Sequence, residues 1–244
     1  MLNAAVLLGD NYEEVIPLKL RKIYIVFCLS AMIGMFIIFK LNGYELNFIF
    51  KSEAITAILS VAFFIVYEKS VEKALIDKIN RLKPILNEER NPDKYILESE
   101  KLLDEVKTEN ERAIVLINIS NAYCDKHEYK TAAEKLMEID CDRLSDNYEV
   151  MCSLYRAYVF FYLGDYASAL YIMTKYERKF NKLRNNIELE PFIAVLNIFR
   201  FIAEGNLEKA NEVLFIAEQR WDADGENWDL KHLKRLINKP KREF

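Results

Sequence analysis

Glycine and proline are scarce, with 6 and 5 in 244 residues. Sandwiches and barrels of many short strands need turn residues every few positions, so this scarcity excludes them and favours long helices. Histidine occurs twice and cysteine four times. There is no G-x-S-x-G, no phosphate-binding glycine loop and no H-E-x-x-H, so the usual catalytic and nucleotide-binding arrangements are absent. The expectation is a protein that is not an enzyme and holds no cofactor. Cys124 and His127 form a C-x-x-H pair, but Cys141, Cys152 and His232 supply no matching second pair, and no metal is expected. Cys28 falls within an apolar run and the other three cysteines read as cytosolic, so no disulfide is expected. What is present is 52% hydrophobic and 13% aromatic residues beside 30% charged ones. That content excludes disorder and requires a core.

The net charge of −4 is unevenly spread. Residues 1–67 hold five basic and five acidic groups, residues 231–244 hold six basic and one acidic, and the stretch between carries 23 basic against 32 acidic, or −9. An acidic body is a poor phosphate binder, so no nucleic-acid partner is expected.

Two apolar runs stand near the N-terminus. Ile23 to Phe39 is 17 residues without charge or proline, flanked by Arg21, Lys22 and Lys40. At about 1.5 Å per residue it approaches the hydrocarbon thickness once the flanking lysines snorkel. A second run, from about Phe48 to Tyr67, keeps Lys51 and Glu53 near its starting edge, where a charge costs far less than at the bilayer centre. A cleaved signal peptide is the competing reading of the first run, opposed by its length, the acidic groups before it and the lack of a small-x-small site after it. Lys19, Arg21 and Lys22 precede the first run, and Lys69, Lys73, Lys78, Arg81 and Lys83 follow the second. The positive-inside rule then puts both termini in the cytoplasm. Neither run has a central ionisable residue, so an ion path within the chain has no support. Small residues (Ser30 and Gly34, then Ala54, Ala57 and Ser60) are spaced to let such helices pack.

Beyond Tyr67, apolar residues recur at helical spacing (Leu75, Ile79, Leu82, Leu86), which predicts that the second helix continues to near Pro84. Asn91-Pro92-Asp93 marks a new helix start, with the helix predicted over 92–107 and another near 226–237. Between them, Asn118-Ile119-Ser120-Asn121-Ala122-Tyr123 with Tyr129, Ala132 and Ala133 is echoed by Leu163-Gly164-Asp165-Tyr166 with Ala169-Leu170, and by Gly205-Asn206-Leu207 with Ala210. This recurrence resembles the tetratricopeptide (TPR) helix-turn-helix repeat over about residues 111–220. The spacings, 37 and 41 residues, exceed the family's 34 and predict longer connections between hairpins. The prolines that often close such repeats are missing. Where the first repeat has Ile119 in a core slot, alignment places Arg156 and Asn197, implying either a register slip or partly buried polar groups with partners.

The expected fold is all-α: the two apolar runs form an N-terminal two-helix transmembrane hairpin, and the resemblance implies that a TPR-like α-solenoid of about three helical hairpins with capping helices follows it. Its segments are a cytoplasmic 1–21, the hairpin 22–67, connecting and capping helices 68–107 and the solenoid with its C-terminal cap 108–244. The resemblance also implies a groove for a protein or peptide partner, lined by Ile117, Asn121, Leu154, Tyr158, Phe161, Val195 and Phe199. Tyr158 and Phe199 stand where family members that clamp a carboxylate carry polar residues, so no such clamp is expected. Aromatics at helical spacing are more often core than binding surface. The groove is filled either by the helix around Trp228, Leu230, Leu233 and Leu236, or by Met1 to Leu8, or by a partner. Lys234, Arg235, Lys239, Lys241 and Arg242 are candidate contacts to anionic lipid, or simply a basic helix end. The functional expectation is a membrane-anchored scaffold or adaptor with its repeat domain in the cytosol. The alternative is an accessory subunit that assembles through its transmembrane hairpin.

Overall fold

A long run of apolar residues without proline satisfies its backbone hydrogen bonds most simply as a helix. In the computed structural model, which describes residues 18–183, 186–187, 189–222, 225 and 227–238, the first run lies in α1 (Leu18–Leu41) and the second in α2 (Leu46–Asn87). All regular structure among the described residues is helical. Within α2, Leu46–Phe63 is long and apolar enough to cross a membrane, and Ser30–Leu41 is a shorter apolar helical stretch. Gly43, with φ of 77°, makes the turn between the two helices. Phe39, Tyr44 and Phe48 gather beside it, with Tyr44 and Phe48 stacked 5.2 Å apart.

The chain forms two compact units that divide between Arg81 and Leu82. Helix α2 passes Pro84 and ends at Asn87, later than the proline suggests. Proline removes only its own N–H bond, and its carbonyl still accepts from Glu88 and Glu89 at the helix end.

The downstream unit is a succession of short helices. Helix α3 (Pro92–Leu103) begins where Asn91 accepts a hydrogen bond from the Lys94 N–H, with proline in the first turn, and stops four residues before the predicted 107. Helix α4 (Glu109–Asp125) opens with a capping box, in which Thr108 accepts from Glu111 N and the Glu111 carboxylate accepts from Thr108 N. Then follow α5 (Tyr129–Met137), a 3-10 turn (Cys141–Arg143), α6 (Asp146–Leu163), α7 (Tyr166–Lys175), α8 (Glu177–Leu183), α9 (Glu190–Ala203), α10 (Leu207–Trp221) and α11 (Trp228–Ile237).

Three pairs organise this unit: α4 with α5, α6 with α7, and α9 with α10. Each pair turns on one left-handed residue, followed by the N-terminal flank of the second helix. The left-handed residue is His127 (φ 59°) in the first pair, Gly164 (φ 77°) in the second and Gly205 (φ 75°) in the third. Asp165 and Asn206 then accept from Ser168 N and Lys209 N. The first helices of the pairs also touch in sequence, α4 with α6, α6 with α9, and α9 with α11. The 3-10 turn occupies the connection after the first pair, and α8 the connection after the second. These are the extra residues behind the long spacings.

Alanines at the contact make close approach within a pair possible: Ala122 and Ala132 in the first, Ala157 and Ala169 in the second, and Ala210 in the third are all buried. Arg156 occupies its apolar-looking slot through specific partners. Its Nη2 donates to the carbonyls of Leu136 (2.8 Å) and Ile139 (2.9 Å), capping the end of α5. A partly buried polar group with partners is therefore what stands there.

Candidate functional site

The seven candidate groove residues come from the first helix of each pair: Ile117 and Asn121 from α4, Leu154, Tyr158 and Phe161 from α6, and Val195 and Phe199 from α9. All seven are buried. Phe161 and Phe199 lie parallel with centroids 5.1 Å apart, and Tyr158 stacks on Phe192 at 5.1 Å. Offset stacking of this kind contributes about 0.5–1.5 kcal/mol per pair beyond area burial. Together these rings form a seat.

The first turn of α11 sits on it. Asp229 Oδ1 accepts hydrogen bonds from the hydroxyls of Tyr158 (2.8 Å) and Tyr162 (2.5 Å). Trp228 packs against Tyr162 with centroids 5.5 Å apart, and His232 against Tyr162 at 5.0 Å. Trp228 also reaches the turn of the first pair, stacking on His127 at 4.3 Å, while Tyr129 lies parallel to Tyr162 at 4.5 Å. Both histidines of the chain thus flank one tryptophan, since Trp228 stacks on His232 as well. Leu230, Leu233 and Ile237 carry the apolar side of α11 and are buried.

Local sequence explains the geometry. Asn227 caps α11 by accepting from Leu230 N, and Asp222 accepts from Asn227 N at 2.7 Å, which fixes where the helix begins. Asp229 stands in the first turn of α11, where the helix dipole favours a carboxylate. Burial, then the Asp229 charge, pushes both tyrosine hydroxyls well above their ordinary range. They stay protonated and act as donors.

Of the candidate basic residues, Lys234 forms an ion pair with Glu218 of α10 at 2.9 Å, and Arg235 Nε donates to the Lys231 carbonyl. Lys239, Lys241 and Arg242 lie outside the described residues, as does the stretch Met1 to Leu8. Cys124 is buried, with its thiol pushed up by burial, and its C-x-x-H companion His127 serves the Trp228 stack. No group of three or more His, Cys, Asp or Glu able to hold a metal occurs among the described residues.

The Asp229 contacts and the role of His127 are the parts of the site that side-chain patterning misses. An acidic residue in a capped first turn, 71 positions from its tyrosine, leaves no spacing signal. No protein family, curated protein or solved structure matches this chain.

Proposed function

We propose that this chain is a membrane-anchored cytoplasmic adaptor, whose two N-terminal helices form a transmembrane hairpin and whose TPR-like repeats hold a partner helix on their aromatic seat. One observation carries the reading: α11 is seated across all three helix pairs by an aromatic cluster and one doubly hydrogen-bonded carboxylate. That is helix-in-groove recognition performed on the chain's own segment. A partner suited to the same seat is an amphipathic helix with an aromatic residue and an acid in its first turn and leucines beyond, and it competes with α11. Tethering to the bilayer raises the effective concentration of membrane-associated partners without adding contacts.

The membrane half of the reading rests on exposed apolar helix. Ile58 and Phe63 are 69% and 68% exposed, and Leu46–Phe63 carries only two charges, Lys51 and Glu53, both in its first half. The same surface supports the second reading, an accessory subunit that contacts other membrane helices through the hairpin.

Two measurements test the proposal. A labelled peptide of residues 227–238 is titrated against the full chain in detergent and against its Trp228→Ala/Asp229→Asn variant. The variant, its seat loosened, is expected to bind at least about tenfold more tightly, and equal weak binding by both overturns the groove reading. Exchanging the hairpin for an unrelated anchor leaves peptide binding and partner capture intact on the adaptor reading. Loss of partner capture with peptide binding preserved favours the accessory subunit instead.

A further inference from the structure

We propose that Cys141 and Cys152 form a peroxide-responsive dithiol, a modification site that closes to an intrachain disulfide and is reopened by thiol reductants. Their sulfurs lie 3.4 Å apart and share a hydrogen bond. A disulfide needs about 2.05 Å, so the sulfurs must approach by a further ~1.4 Å. The element that has to yield is a three-residue 3-10 turn, Cys141–Arg143, packed on α6, and not the interior of a long helix.

The environment assigns the two thiols different roles. Cys141 is half-buried and accessible to a small oxidant, whereas Cys152, inside α6, is 0% exposed. Arg156 stands one helical turn beyond Cys152 on the same face. Its guanidinium is fixed by the carbonyls of Leu136 and Ile139, and its buried Nε has no hydrogen-bond partner within the described residues. A fixed cation in such a place favours an anion at the sulfur pair. The hydrogen bond with Cys152 lowers the Cys141 thiol below its ordinary range against partial burial, and the Arg156 charge adds to it. The same hydrogen bond, joined by burial, pushes Cys152 up. Cys141 is therefore the attacking thiolate and Cys152 the resolving thiol.

The chemistry balances with hydrogen peroxide as the oxidant. The Cys141 thiolate attacks one peroxide oxygen, the O–O bond breaks, hydroxide leaves and Cys141 becomes a sulfenic acid. The Cys152 sulfur then attacks the Cys141 sulfur, the S–O bond breaks, and water departs with the Cys152 proton. The hydroxide takes up the proton that Cys141 gave up on ionising. Two thiols and one peroxide give one disulfide and two waters.

The test uses the full chain in detergent, treated with hydrogen peroxide, denatured under acid and mapped by non-reducing mass spectrometry. Two of the four thiols are expected to disappear, with the Cys141 and Cys152 peptides joined and two hydrogens lighter, and dithiothreitol restores them. Cys28 and Cys124 remain thiols. In Cys152→Ser, Cys141 is expected to stop at the sulfenic acid and take up dimedone, while wild type takes up little. Cys152→Ala provides the same readout should the serine variant fail to fold, as judged by circular dichroism. A wild-type chain whose Cys141 and Cys152 both remain thiols, or whose Cys141 proceeds to sulfinic acid beside a free Cys152, overturns the proposal.

Discussion

The two units of this chain are built from similar apolar side chains and dispose of them in opposite ways. In α2, Ile55, Ile58, Leu59, Val61 and Phe63 are exposed, whereas in the downstream unit Ile117, Leu154, Val159 and Phe199 are buried. Hydrophobicity by itself therefore does not distinguish the units; whether those side chains are covered does. An apolar surface of that extent in water marks an unfilled contact with lipid or protein. The downstream helices carry ion pairs on their outer faces, such as Lys126 with Asp93 and Arg112 with Glu138.

Charges placed in the first unit should break this comparison most sharply. Ile58→Arg with Leu59→Arg costs about 2.5 to 3.5 kcal/mol for each arginine near the centre of a span. The expected outcome is loss of the chain from alkali-washed membranes, and retention equal to wild type removes the membrane reading. In the second unit, Phe199→Ala deletes a fully buried ring and is expected to destabilise by about 3–5 kcal/mol in a denaturant titration, with membrane retention unchanged. Thr108→Ala removes one half of the α4 capping box, an expected loss of about 1 kcal/mol by the same titration.

The smallest effect concerns pH. Partial burial by itself would raise the Glu149 carboxyl, but hydrogen bonds from Tyr176 (2.6 Å) and Lys179 (2.9 Å) outweigh it and hold it below the ordinary range. A carboxyl depressed by folding contributes stability that is present above its unfolded value, about 4.3, and is lost as pH falls through the folded one. Glu149→Gln should therefore be less stable than wild type at pH 7, and the gap should narrow as the pH drops below about 4. A gap independent of pH would mean that packing, and not charge, holds α8 against α6.

Much of the helical architecture is legible in the sequence because its signals are local. Asn91-Pro92 marks the start of α3, and Leu163-Gly164-Asp165-Tyr166 spells a left-handed turn followed by a cap, as Gly164 and Asp165 show. The first pair conceals the same turn by placing His127 where the others have glycine. A histidine pays a steric cost in that conformation, about 1–2 kcal/mol, and its stack on Trp228 helps to offset it. What escapes sequence reading depends on backbone groups or distant partners. Arg156 binds carbonyls, which no residue pattern displays, and Asp229 binds tyrosines far upstream. The Cys141–Cys152 approach spans 11 positions across a turn and matches no spacing motif. The expectation of no disulfide followed from compartment alone, and the thiols of the structure are free.

The seating of α11 also has a temporal side. The tyrosines that grip Asp229 are synthesised 71 and 67 residues before it. On the ribosome, at about 5–20 residues per second, they wait several seconds for the segment that covers them. During that interval the nascent chain presents a sticky ring cluster to every neighbour, so a premature stop codon ahead of Trp228 would leave that surface permanently bare.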